Sequence, residues 1–294
     1  METHPQISPF SDLRFTPAQR VVVLLVALCL FTVIGSALVG IVMRNGITTP
    51  SLRIATVLQD CIIFILPAVI SALLISPMAA RFLGIDSGFR LSQLLLAMLG
   101  MIASIPTMNA LVKFNEQLIL PESLSAIESW MRAAEEQAQE SVGILLGQST
   151  VGSLIVSLLI VGVLAGVSEE LFFRGALQRI FMSGRMNVHV AIWLTAFVFS
   201  AFHLQFFGFL PRLLLGAYFG YLFYWSKSLW LPIVMHVFNN SMVVCVMWRE
   251  NSVGEMARQT ESLNNWGADS AMLIIDSIIF TSFIMVWLYK KRTV

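Results

Sequence analysis

The chain has 294 residues, 57% of them hydrophobic and 12% charged, with a formal net charge of +1 and a mean hydropathy of +0.81. Soluble domains carry about 25% charged residues, so this composition excludes a water-soluble globular protein and predicts a polytopic integral membrane protein surrounded by lipid. With no basic patch apart from the terminal Lys290, Lys291 and Arg292, nucleic acid is excluded as a partner.

Apolar runs near the ~20 residues that cross a bilayer as helix occur at about 20–43, 54–78, 91–113, 150–170, 188–207, 210–226, 229–248 and 270–289. They predict an all-α bundle of about eight transmembrane helices. The first run lies behind nineteen residues, ends in Arg44 and carries no small-residue cleavage pattern, so it is expected to remain as a span rather than be removed as a signal peptide. Eight spans put both termini on one side. Eleven Lys and Arg flank the spans on that side against seven on the other, which predicts cytoplasmic termini in a multi-pass inner-membrane protein.

The longest connection, about 114–149, is acidic. Ser125 and Glu128 have capping-box spacing, so a helix is expected to start there. Ile127, Trp130, Met131 and Ala134 recur at helical spacing opposite the Glu128 and Arg132 pair, predicting an amphipathic helix on the outer membrane surface, either capping the bundle or gating a substrate. Cys29, Cys61 and Cys245 lie in apolar runs without paired spacing and read as packing residues. The expected organisation is N-terminal spans with this outer loop over 1–149, a core carrying the polar clusters over 150–248, and a loop with the last span over 249–294.

Three polar clusters stand out within the apolar runs. Glu169, Glu170 and Arg174 close the fourth, His203 lies in the fifth, and His236 with Asn240 in the seventh. A charged side chain at the bilayer centre costs about 2.5–3.5 kcal/mol on insertion scales, so such groups normally face a bundle interior and carry function. Residues four apart share a helix face. Glu170 is therefore expected to pair with Arg174, while Glu169, about 100° around the axis, is free for chemistry. Phe199 stacks beside His203, where it can exclude water, and His236 and Asn240 together can donate to one developing negative charge.

Each cluster also has a plainer reading. The acids and Arg174 would end a helix at the interface, His203 would be a packed and hydrogen-bonded imidazole, and His236 with Asn240 would glue helices together. Asn239 differs from Asn240 only in spacing. Asp60, Pro67, Pro106 and Asn109 are polar or kinking residues within spans that would shape an access route. Depth presents a difficulty: counted along the spans, Glu169 and His236 fall toward the cytoplasmic side, whereas His203 comes late in a helix that starts there. The expectation is that the span boundaries are misplaced.

The sequence Glu169-Glu170-Leu-Phe-Phe-Arg174, then Phe199-Ser-Ala-Phe-His203, then His236-Val-Phe-Asn-Asn240 resembles the EExxxR, FxxxH and HxxxN motifs of the CPBP family. That group contains the type II CAAX prenyl endopeptidases and the Abi-related bacteriocin-immunity proteins. All three motifs match without a gap over about 150–245; the N-terminal half resembles the family only in being a bundle of spans. The resemblance implies an intramembrane peptidase, described either as a metalloprotease or as a metal-independent glutamate protease. Carried over by position, Glu169 and His203 would activate water, and His236 and Asn240 would bind the oxyanion, with Arg174 and Phe199 supporting the site.

One set of side chains serves both accounts. If a metal is bound, Glu169, His203 and His236 would supply the three protein ligands of a catalytic zinc, with Glu170 as base instead. The HExxH arrangement of soluble zincins is absent from the sequence. The expected substrate is a peptide or protein with a hydrophobic or lipidated C-terminus. The alternative from another class is a non-catalytic immunity or scaffold protein of the Abi-related type. A proton-coupled transporter is disfavoured because no matching pair of interrupted helices is evident in the sequence.

Overall fold

The computed structural model describes residues 13–253 and 270–292; His4 and, from the charge tally above, Arg258 lie outside them. The described residues are all helix and connection: α1 (Pro17–Met43), α2 (Thr49–Ile75), α3 (Ala79–Leu83), α4 (Leu91–Ala103), α5 (Ile105–Glu116), α6 (Ser125–Leu146), α7 (Val151–Met182), α8 (Val188–Phe202), α9 (Phe209–Ser226), α10 (Trp230–Val253) and α11 (Ala271–Lys290). The fold class is the expected all-α membrane bundle. By length and composition, six helices are candidate spans: α1, α2, α7, α9, α10 and α11. The expected run 91–113 is instead two helices, α4 and α5, bent by 45°, with Pro106 in the first turn of the second, where it cannot donate the bond to Ile102 O that would continue α4. This pair makes a seventh candidate if counted as one span. Helix α8 has 15 residues, about 22 Å, and falls short of the ~30 Å hydrocarbon core.

Long helices start where the sequence supplies caps. Thr16 caps α1 ahead of Pro17, and Thr48 caps α2 ahead of Pro50; in both, the proline occupies a position whose N–H has no helical acceptor. Pro67 would break α2, since it cannot donate and its ring crowds the carbonyl four residues back. The helix absorbs it through a π turn over Gln59–Ile65, the kind of local widening common at functional positions. Outward side chains such as Val26, Val33 and Ile41 are exposed, as expected of surfaces solvated by lipid. The interior instead combines aromatics, small residues and paired polar groups.

The expected span 150–170 was cut short by its charges. The helix in fact continues to Met182, through π turns at Leu158–Leu164 and Leu171–Gln178, because Glu170 and Arg174 neutralise each other on one face. Their oxygen and nitrogen are 2.6 Å apart with both side chains fully buried. This resolves the depth difficulty. Glu169 lies about 20 Å before the end of α7 and His203 about 22 Å beyond the start of α8, so both rise to the same level from the short turn joining these helices.

Helices α7, α8 and α9 pack closely around two glycines. Arg174 Nη2 donates to Gly216 O at 2.9 Å and Gln178 Nε2 to Gly220 O at 3.1 Å. A Cβ at Gly216 would stand 3.1 Å from Phe199, and one at Gly220 2.8 Å from Ile192. Small residues four apart thus let the α9 backbone approach closely enough to serve as an acceptor. One apolar cluster, including Leu24, Phe64, Phe82, Phe172 and Phe199, runs from α1 to α8 and ties the N-terminal helices to the later ones.

Helix α6 forms where expected, but the capping box does not. A 3₁₀ turn over Glu122–Leu124 leads directly into the helix, so Ser125 is already helical and has no non-helical backbone from which to cap. Glu128 instead accepts from Leu120 N at 3.0 Å and pairs with Arg132 at 2.6 Å; the hydrogen bond from Arg132, followed by that from Leu120, holds its carboxyl below the usual range. The helix docks on the turn after His203. Trp130 packs on Phe206 at 5.2 Å, Arg132 lies over the Phe207 ring, and Phe207 N donates to Glu135 at 3.4 Å.

Candidate active site

The three sequence clusters meet in one place. Glu169 Oε2 lies 3.9 Å from His203 Nε2 and 3.8 Å from His236 Nε2. That oxygen is buried and has no hydrogen-bond partner, although 15% of the Glu169 side chain remains accessible. It is the centre of the arrangement.

Both imidazoles are held from behind. His203, the C-cap of α8, has its Nδ1 2.9 Å from Phe199 O. A carbonyl only accepts, so Nδ1 carries the proton, and in the neutral ring the Nε2 lone pair faces Glu169. His236 repeats the pattern: its Nδ1 lies 2.8 Å from Glu170 Oε1, the oxygen that also accepts from Arg174. Orientation by a hydrogen bond on the far nitrogen is the general device for aiming a functional histidine.

The surrounding rings restrict water. Phe219 stacks on His236 at 4.9 Å, and Phe199 meets His203 edge-on at 5.0 Å and His236 at 5.9 Å. The Arg174 guanidinium sits 4.6 Å over the Phe199 ring. Glu170 and Arg174 pair as their i, i+4 spacing suggested, and through Glu170 Oε1 the pair also holds His236 from a dry interior. Immediately after His203 the chain turns through Leu204 at φ 53°, a left-handed conformation uncommon for a bulky residue. A polar cleft of ≈ 510 Å³ lies beyond this turn, between α5, α6 and the start of α9, lined by residues including Glu135, Phe207 and Arg212.

Asn240 lies one turn beyond His236 on α10. Its Nδ2 donates to Val161 O at 3.2 Å within a π turn of α7, and its Oδ1 accepts from Asn239 at 3.2 Å. One amide hydrogen therefore bridges helices and only the other is available to a ligand. Asn109 and Pro106 lie on α5. Asp60, named above only as a polar residue within a span, is buried on the α2 π turn and accepts from Ser168 Oγ at 3.1 Å. Ser168 and Phe219 were not anticipated. A serine beside Glu169 was visible in the sequence, but Phe219 carried no signal among 21 phenylalanines.

The donors named for a bound metal do not close around one. Tetrahedral zinc with bonds of about 2.0–2.1 Å brings its ligands to roughly 3.3 Å from one another, whereas Glu169 stands 3.8 and 3.9 Å from the two ring nitrogens. Among the described residues, no group of three or more His, Cys, Asp or Glu side chains is arranged to hold a metal ion.

No curated protein and no solved structure matches the chain. Residues 151–242, about a third of the chain, match the family described as Rce1-like: Type II CAAX prenyl endopeptidase Rce1-like. That segment carries Glu169, Glu170, Arg174, Phe199, His203, His236 and Asn240, the residues brought together above. Over this core the chain is similar to the Rce1-like type II CAAX prenyl endopeptidases.

Proposed function

We propose that the protein is an intramembrane endopeptidase that hydrolyses a peptide bond near the cytoplasmic membrane face, in a protein or peptide with a hydrophobic or lipidated C-terminus. The observation that carries this reading is the buried, unpartnered Glu169 oxygen facing both imidazole nitrogens. With Arg174 set aside as buried within α7, ten Lys and Arg against seven remain, which supports cytoplasmic termini in an inner membrane for an even number of spans.

In this mechanism Glu169 removes a proton from water as the water oxygen attacks the scissile carbonyl. His203 Nε2, whose lone pair faces Glu169, holds that proton on its way to the departing amine. The tetrahedral oxygen takes hydrogen bonds from the free Asn240 N–H and from His236, which in its doubly protonated form donates Nδ1–H to Glu170 and Nε2–H to the oxyanion. Each well-placed donor of this kind contributes about 3 kcal/mol. No covalent intermediate is needed, and no step is routed through a metal, since the donors do not fit one as arranged.

The test is Glu169→Gln in purified protein, assayed on a quenched fluorescent peptide carrying a farnesylated CAAX tail and on its unmodified counterpart. Cleavage is expected to fall by at least about 10³-fold, within the range for lost general-base and electrostatic groups, with unchanged thermal stability. Full activity would reject the assignment, and cleavage of the unmodified peptide alone would reject the lipidated substrate.

A further inference from the structure

The 151–242 segment does not account for every polar group at the centre. Asp60 comes from α2, is 3% exposed, and sits on the π turn that Pro67 forces. Its Oδ1 accepts from Ser168, the residue before Glu169, while its Oδ2 is buried with no hydrogen-bond partner. Asp60 and Glu169 are close enough for their charges to act on each other. The guanidinium charges of Arg174 and Arg212 also act on Glu169. Leaving a buried carboxylate oxygen unpaired is costly, which calls for an explanation beyond packing.

We propose that Asp60 is a further catalytic residue, whose Oδ2 accepts a hydrogen bond from the attacking water while Glu169 accepts the other. A water hydrogen has only one acceptor, so two carboxylate oxygens fix both hydrogens and turn the oxygen lone pair toward the carbonyl carbon. As the O–C bond forms, the hydrogen facing Glu169 transfers to it. The hydrogen facing Asp60 stays on the former water oxygen, now a hydroxyl of the tetrahedral species. When the C–N bond breaks, the amine takes the proton held by Glu169 and His203, and the peptide is released as a carboxylic acid and an amine. This role rests on the hydrolytic reading above.

Asp60→Asn tests it, because the amide keeps the size of the side chain and an oxygen for Ser168 but presents N–H groups, which cannot accept, toward the water. On the farnesylated peptide, kcat is expected to fall by at least about tenfold, the scale of one lost charge-assisted hydrogen bond. KM should stay within about twofold and the unfolding temperature should not move. Ser168→Ala, which removes the Oδ1 contact and the hydroxyl's contact to Ala165 O at 3.0 Å but leaves Oδ2 in place, should lower kcat by less than Asp60→Asn. Wild-type kcat in Asp60→Asn, or a loss matched by an equal loss in Ser168→Ala, overturns the proposal. Asp60→Ala is less informative if it misfolds, and the isosteric pair decides in that event. If Glu169→Gln is inactive while Asp60→Asn is fully active, only the role of Asp60 falls; if Glu169→Gln is active, the hydrolytic reading falls with it.

Discussion

Removing Arg174 is expected to unfold the bundle before it affects chemistry directly. Its guanidinium is fully buried, donates to Glu170 at 2.6 Å and to Gly216 O at 2.9 Å, and covers the Phe199 ring. Arg174→Met fills a similar volume but leaves Glu170 buried with His236 as its remaining partner. Stripping one member from a buried ion pair costs about 3–5 kcal/mol, whereas replacing both by apolar residues is often nearly neutral. At about 2–4 °C per kcal/mol for a chain somewhat smaller than this one, the single change should lower the unfolding temperature by on the order of 10 °C. The double change Glu170→Leu with Arg174→Met should recover most of that loss, yet remain inactive because His236 Nδ1 no longer has its carboxylate. The assay is thermal unfolding in detergent beside peptide cleavage. A shift of less than about 2 °C in Arg174→Met, or a double variant as unstable as the sum of its parts, would refute the reasoning.

Two further outcomes follow from the same geometry. Gly220→Ala places a methyl group 2.8 Å from Ile192 and 2.9 Å from Gln178, and should destabilise the protein by about 1–3 kcal/mol through overpacking, while weakening cleavage because α9 moves off Arg174; wild-type unfolding would show that this crossing has slack. Protein dialysed against a strong chelator should retain its activity, read together with elemental analysis. Stoichiometric zinc lost in parallel with activity would mean that Glu169, His203 and His236 close around a metal from the separations observed here.

How much of the site was legible depends on distance along the chain. The Glu170 and Arg174 pair and the contact of Phe199 with His203, though edge-on rather than stacked, were readable, because residues four apart share a helix face whatever the tertiary structure. The capping box at Ser125 was misread because the preceding 3₁₀ turn, and not local spacing, set where α6 begins. The fourth span was cut at its charges because hydropathy counts a buried, mutually neutralising pair as if it faced lipid.

By itself the sequence determined a membrane-embedded all-α chain and the polar residues from which the proposed site is built, since apolar run length and i, i+4 spacing are local properties. Only the tertiary structure decided that Glu169 faces both imidazoles, that Phe219 stacks on His236, and that Asp60, over a hundred residues away, stands at Ser168. Those contacts join helices distant in sequence. Their formation depends on which helix meets the Gly216 and Gly220 face of α9 and on where π turns re-aim side chains, and local spacing names neither the partner helix nor the contact.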